Sequence, residues 1–131
     1  MIRIVTDSTC DLPSSLVNDL QITVLPLYIN IGDKGYLDGI DLSREAFYQQ
    51  LPSLKSHPTT AAPGPDVFRQ TYDRLAAAGA TEILSIHISE TLSATINIAR
   101  ADRVATYAVP CRTIQQMLDE LGDQEPKESK E

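Results

Sequence analysis

The apolar positions change period along the chain, and each change marks an element. Residues 2–6 (Ile-Arg-Ile-Val-Thr) read as a short buried strand that runs straight into the polar cluster Asp7-Ser8-Thr9. Pro13 suits the first turn of a helix, where its missing N–H costs nothing. Leu12, Leu16 and Leu20 lie four apart and make one apolar face. Residues 22–31 predict a second strand, with Pro26 placing its outer part at an edge or bulge, because proline cannot donate to a ladder. Gly32-Asp33-Lys34-Gly35 predicts a turn.

Ser43 predicts a helix cap, with Leu42 and Phe47 at hydrophobic-staple spacing and Pro52 as the stop. A proline-rich loop follows from Ser53 to Pro65. Gly64 and Pro65 open a helix whose stripe is Phe68, Tyr72, Leu75 and Ala76, with Gly79 as its C-terminal stop. Residues 82–88 alternate as a strand, and Ser89-Glu90-Thr91 punctuates it. Leu92 to about Tyr107 predicts a helix with Leu92, Ile96 and Ala99 on one side, ended by Pro110. Residues 111–121 predict one more short amphipathic helix, and residues 122–131 a charged, disordered tail. There is no internal repeat. This order predicts an α/β lobe over residues 1–110, a mostly parallel sheet flanked by helices.

With 131 residues the chain has one domain's length. Apolar residues are 42% and charged residues 22%, so the expectation is a globular chain, and no apolar run reaches membrane-span length. The opening Met1 to Asp7 lacks signal-peptide anatomy, and Cys10 and Cys111 lack zinc spacing, so a cytoplasmic chain with free thiols is expected. The net charge is −7, but the last thirteen residues hold six acids against two lysines. The acidity therefore belongs mostly to the tail, and no basic face exists to neutralise nucleic-acid phosphates.

In parallel α/β sheets ligands bind beyond the carboxyl ends of the strands. That rule points to Asp7-Ser8-Thr9, to the proline-rich loop with Thr59 and Thr60, and to the stretch holding Ser89, Thr91, Ser93 and Thr95. Hydroxyls beside helix starts suit an anionic head, a carboxylate or a phosphate. Taken singly, each cluster also reads as ordinary caps and turns. No G-x-S-x-G elbow, Walker loop or H-E-x-x-H accompanies them. A serine–histidine pair is conceivable with His57 or His87, yet His57 reads as a solvated loop residue and His87 as a strand-face residue. Asp7 reads as a group that orients neighbouring hydroxyls or caps the turn. Cys10 reads as a small buried or half-buried residue, with a reactive thiol near a helix start as the alternative. Asp38 and Asp41 offer too few oxygens for a metal, and no metal or cofactor is expected.

Ile4-Val5-Thr6-Asp7-Ser8-Thr9-Cys10-Asp11-Leu12-Pro13 resembles the start of the DegV family, bacterial fatty-acid-binding proteins. Pro26-Leu27, Tyr36-x-Asp38-Gly39 and Phe47-Tyr48 strengthen the likeness. Pro58-Thr59-Thr60-Ala61-Ala62-Pro63 resembles the family's T-S-Q-P motif, and Ser89 to Thr95 its S-S-x-L-S-G-T motif. The resemblance covers roughly residues 1–101, the amino-terminal lobe. It implies a fatty acid in a tunnel, its carboxylate held by Thr60 and Ser93, with Thr59, Ser8, Asp7 and Thr95 nearby. It further implies a carrier without a catalytic nucleophile, which presents the acid to a separate fatty acid kinase. Because the resemblance reaches one lobe, a homo-oligomer or another partner is expected to cover the missing-lobe face. Two alternatives stay open. Ala61, Ala62 and Ala94 replace polar or glycine positions of the motifs, which suits an interaction protein without ligand. A small hydrolase or phosphotransferase using Asp7 or a serine–histidine pair is the other.

Overall fold

The computed structural model describes residues 1–101 and the strand at 109–110. The predicted helix at 111–121 and tail at 122–131 lie outside the described residues, as does the predicted continuation from 102 to Tyr107.

Two sheets organise the chain. The first is parallel, in the order β2 (Thr23–Leu25), β1 (Ile2–Asp7), β6 (Glu82–His87), β7 (Val109–Pro110). Val5 pairs with Thr23 on one side of β1 and with Ser85 on the other. The second is antiparallel, in the order β4 (Lys34–Leu37), β3 (Tyr28–Ile31), β5 (Thr59–Ala61). Among the described residues the α-helices are α1 (Ser14–Asp19), α2 (Arg44–Gln50), α3 (Pro65–Ala77) and α4 (Thr95–Ala101). The expected α/β class with a mostly parallel sheet is what forms.

Strand alternation sends Ile83, Ser85 and His87 to one face of β6. There the core gathers Val5, Leu25, Ile83, Phe68 and Tyr72 from α3, and Ala99 from α4. Burying each large side chain stabilises the fold by about 1.5–3 kcal/mol. Gly64 and Pro65 start α3 as expected, and Gly79 leaves it at φ 92°, a left-handed conformation that spares it the cost a β-carbon would bring. Ser43 caps α2, its Oγ accepting from the Ala46 amide at 3.1 Å. Ser43→Ala is expected to lose about 1 kcal/mol in urea unfolding.

Four sequence expectations change. Residues 22–31 form two strands in different sheets, because Pro26 breaks the ladder and the Leu27 amide goes to Ser8 Oγ at 3.0 Å instead. Lys34 and Gly35 are not turn residues but the start of β4; the turn narrows to Gly32, at φ 59°, and Asp33. The proline-rich loop contains β5, which adds to β3 with Ile29 opposite Thr60. The last described helix begins at Thr95 rather than Leu92, since the amides of Leu92 and Ser93 turn back to the Ser89 carbonyl. Leu92 is 76% exposed, while Ile96 and Ala99 are buried as expected. The leucine row of the α1 segment is also uncovered: Leu12, Leu16 and Leu20 are 37%, 39% and 57% exposed.

Candidate functional site

β1 and β6 are adjacent parallel strands, so their carboxyl ends emerge side by side. Asp7 closes β1 and is 1% exposed. Its Oδ1 accepts from the Thr9 amide at 3.0 Å and the Thr9 hydroxyl at 2.5 Å. Its Oδ2 accepts from the Ile88 amide at 3.0 Å and from His87 Nδ1 at 2.9 Å. One carboxylate thus ties the segment after β1 to the segment after β6. Burial pushes the Asp7 carboxyl up, but hydrogen bonds from His87, Thr9 and Ile88 outweigh it and hold the group below its ordinary value.

A chain of buried polar groups backs this carboxylate. His87 Nε2 lies 2.6 Å from Ser85 Oγ, which lies 2.8 Å from the Tyr72 hydroxyl. In the neutral tautomer with the proton on Nδ1, Nδ1–H donates to Asp7, Nε2 accepts from Ser85, and Ser85 accepts from Tyr72. Phe68 presents its ring to His87 at 5.3 Å and 76°. The order serine, histidine, aspartate has the members of a nucleophilic triad. Yet Ser85 is 0% exposed and the imidazole is sealed with it. No acyl substrate reaches that hydroxyl, so the array is built to hold shape.

The open site lies next door. A groove of about 210 Å³ runs between α2, the second sheet and the segment after β1. Leu27, Ile29 and Phe47 give it an apolar lining; Thr60, paired with Ile29, shares that strand face, whereas Thr59 alternates to the other face and the Thr9 hydroxyl is given to Asp7. Beside it lies a wider cleft of about 420 Å³ that includes Ser8 and the half-buried Cys10. Arg44 and Asp38 line both. Arg44 Nη2 contacts Asp11 at 2.8 Å, the Ser8 carbonyl at 3.1 Å and Asp38 at 3.4 Å. Half-exposed pairs of this kind contribute about 0–1 kcal/mol, so they orient the guanidinium more than they stabilise the fold. Among the described residues no cluster of three metal-ligating side chains occurs, and no helix is long and apolar enough to cross a membrane.

The sequence candidates fall into three groups. Thr59 and Thr60 line the groove. Ser8 lines the neighbouring cleft and holds Leu27, which itself lines the groove. Ser93 and Thr95 bond each other at 2.8 Å, Ser93 half-buried and Thr95 fully buried at the start of α4. Ser93 is not among the groove's lining residues; the chain connects it to the site through Ile88 and Asp7. Asp7 sits beneath the loops with both oxygens engaged. His57 lies exposed in its loop. Sequence reasoning did not single out Arg44 or Tyr72, nor the bonds that join Ser85, His87 and Asp7. The available signal was the polar pair Ser85 and His87 on the strand face that also carries Ile83.

Fold and groove together define an α/β lobe with a parallel sheet and an apolar, hydroxyl-edged groove beside its strand ends. The family model described as "Uncharacterised protein, DegV family" matches residues 1–109, and the chain belongs to that family. A DegV domain-containing protein of Listeria innocua is 37% identical over 98 residues, covering 75% of this chain and 35% of that protein. One from Streptococcus pyogenes is 41% identical over 100 residues, covering 76% of this chain and 36% of the relative. The chain therefore spans about a third of the length of these relatives. Among solved structures, a fatty-acid-binding DegV family protein from Thermus thermophilus is similar at TM-score 0.72 and 28% identity, covering 93% of this chain and 52% of that one. The fatty-acid-binding DegV family protein from Streptococcus agalactiae is similar at TM-score 0.68 and 25% identity, covering 77% and 36%.

Proposed function

We propose that this chain binds the carboxylate end of a fatty acid in the groove at Thr60, with Leu27, Ile29 and Phe47 against the first part of the tail. The observation that carries the reading is the pairing of that apolar lining with Thr60, which shares the strand face of Ile29. Similarity to proteins described as fatty-acid-binding supports it. A neutral hydroxyl donates to a carboxylate head without adding a charge of its own to the groove, whose charged lining residues Arg44 and Asp38 already face each other. Drug-sized ligands occupy about 300–1,000 Å³. A groove of about 210 Å³ therefore encloses only part of a fatty acid, and the rest of the tail needs another wall. A second copy of this chain or another polypeptide supplies that wall in this reading. Ser93, Ser8, Asp7 and Thr95 then shape the head end. The chain acts as a non-catalytic cytoplasmic carrier that hands the acid to a fatty acid kinase.

Mass spectrometry of organic extracts from the purified chain tests the reading, together with palmitate and oleate titrations. Thr60→Val keeps the shape and removes the hydroxyl; it is expected to weaken binding about tenfold or more, the usual worth of a hydrogen bond to a charged group. An empty protein that ignores both acids, and whose melting temperature they leave unmoved, sinks the reading. That outcome favours an interaction protein instead, which the exposed Leu12, Leu16 and Leu20 would suit.

A further inference from the structure

We propose that His87 is a positioning residue for the ligand groove: as the Nδ1–H tautomer, locked by Ser85 and Tyr72, it fixes the Asp7 carboxylate that fastens both the Thr9 and the Ser89–Thr95 segments. The role presupposes the lipid-carboxylate reading of the groove for its effect on binding, though not for its effect on the loops. Thr9 lines the groove and gives both its amide and its hydroxyl to Asp7 Oδ1. Ile88, whose amide goes to Asp7 Oδ2, is the first residue after β6 and leads into the segment with Ser93. A carboxylate group rotates about its terminal bond with little resistance. Two amides on opposite oxygens and the Thr9 hydroxyl favour one orientation, and a fourth donor held by a buried ring selects it. His87 is that donor, at 2.9 Å. Its own freedom is removed twice, by Ser85 at Nε2 and by the Phe68 ring edge. Asp7, His87, Ser85 and Tyr72 are all buried, so the bonds among them keep their strength without competition from water. Buried polar groups cost stability unless they are hydrogen-bonded, and each of these four has a partner in the array. Here they convert strand positions in the core into a fixed separation of two surface segments.

Asparagine and glutamine at position 87 separate the two ends of the imidazole. The asparagine amide nitrogen reaches about where Nδ1 sits, and the glutamine amide reaches toward Nε2. His87→Gln is expected to keep a partner for Ser85, to lose the bond to Asp7, and to weaken palmitate binding about tenfold. Exchange of the Ile88 and Thr9 amides should rise with it, while the Val5 amide, in the core, reports global stability. His87→Asn should recover most of the binding and most of the protection. A general loss of stability moves Val5 along with the others and does not discriminate between the two variants. If the two variants behave alike at Ile88 and Thr9, the proposal is overturned. Imidazole nitrogen shifts of the unmodified chain give an independent arm that needs no variant to fold: a proton on Nδ1 alone supports the proposal, and a proton on Nε2, with or without one on Nδ1, overturns it. A wild-type chain that binds no fatty acid would remove the lipid reading alone, because exchange and tautomer are read without ligand.

Discussion

Asp7→Ala is expected to cost about 3–5 kcal/mol, because each buried donor left without an acceptor costs about 1–3 kcal/mol. The reason is the number of groups left without an acceptor. His87 Nδ1 and the amides of Ile88 and Thr9 all point at the lost carboxylate. For a domain this size about 4–8 °C of melting temperature goes with each kcal/mol, so a drop of roughly 15 °C or more should appear in a thermal melt. Asp7→Asn should fall between, since its amide keeps one acceptor but sets N–H against N–H. The acid side of the stability profile provides a second check. The folded carboxyl is held below its ordinary value by its donors. The unfolded carboxyl titrates near about 3.9. The stabilisation is therefore complete above that value and is lost as pH falls through the lower, folded one. The wild-type melting temperature should drop steeply below about pH 4, and the Asp7→Asn profile should be flatter there. A mutant melting within a degree or two of wild type would show that the loops do not depend on Asp7.

Phe68→Ala is the second large effect, expected at about 3–5 kcal/mol from lost burial plus the cavity left behind. Phe68 is 0% exposed and meets both Tyr72, at 6.1 Å, and His87, at 5.3 Å. The substitution thus removes core volume and loosens two members of the polar chain together. Urea unfolding should give a lower midpoint with little change in slope. Because Phe68 and His87 touch, Phe68→Ala and His87→Asn should be non-additive by about 0.5–3 kcal/mol. Simple additivity would mean that the ring edge contributes nothing to holding the imidazole.

Element boundaries followed the sequence where local chemistry was decisive. Pro65 and Gly79 bracket α3, and Ser43 caps α2, because a missing N–H, a left-handed φ and a side-chain oxygen act within one turn. The strand of residues 2–6 was equally legible. β5 was not: Thr59-Thr60-Ala61 is three residues long between prolines, and its reason for being extended is β3, nearly thirty residues earlier. The break at Pro26 was visible, whereas the switch from a parallel to an antiparallel sheet across it depends on which neighbours each half finds. Thr59 and Thr60 could be singled out by their position in a loop motif. Arg44 could not, since its orientation comes from Ser8 and Asp11 after β1 and from Asp38 after β4, which lie on two different segments.

The linear chain settled the class of fold, the places where helices start and stop, and the hydroxyl-bearing segments, because propensity, periodicity and capping are local. Whether a polar side chain meets water or another polar group was settled by packing. Ser85 and His87 alternate with apolar neighbours as any exposed strand positions would. They became a buried brace because β1 delivers Asp7 and α3 delivers Tyr72 to the same face, and burial made their pairing obligatory.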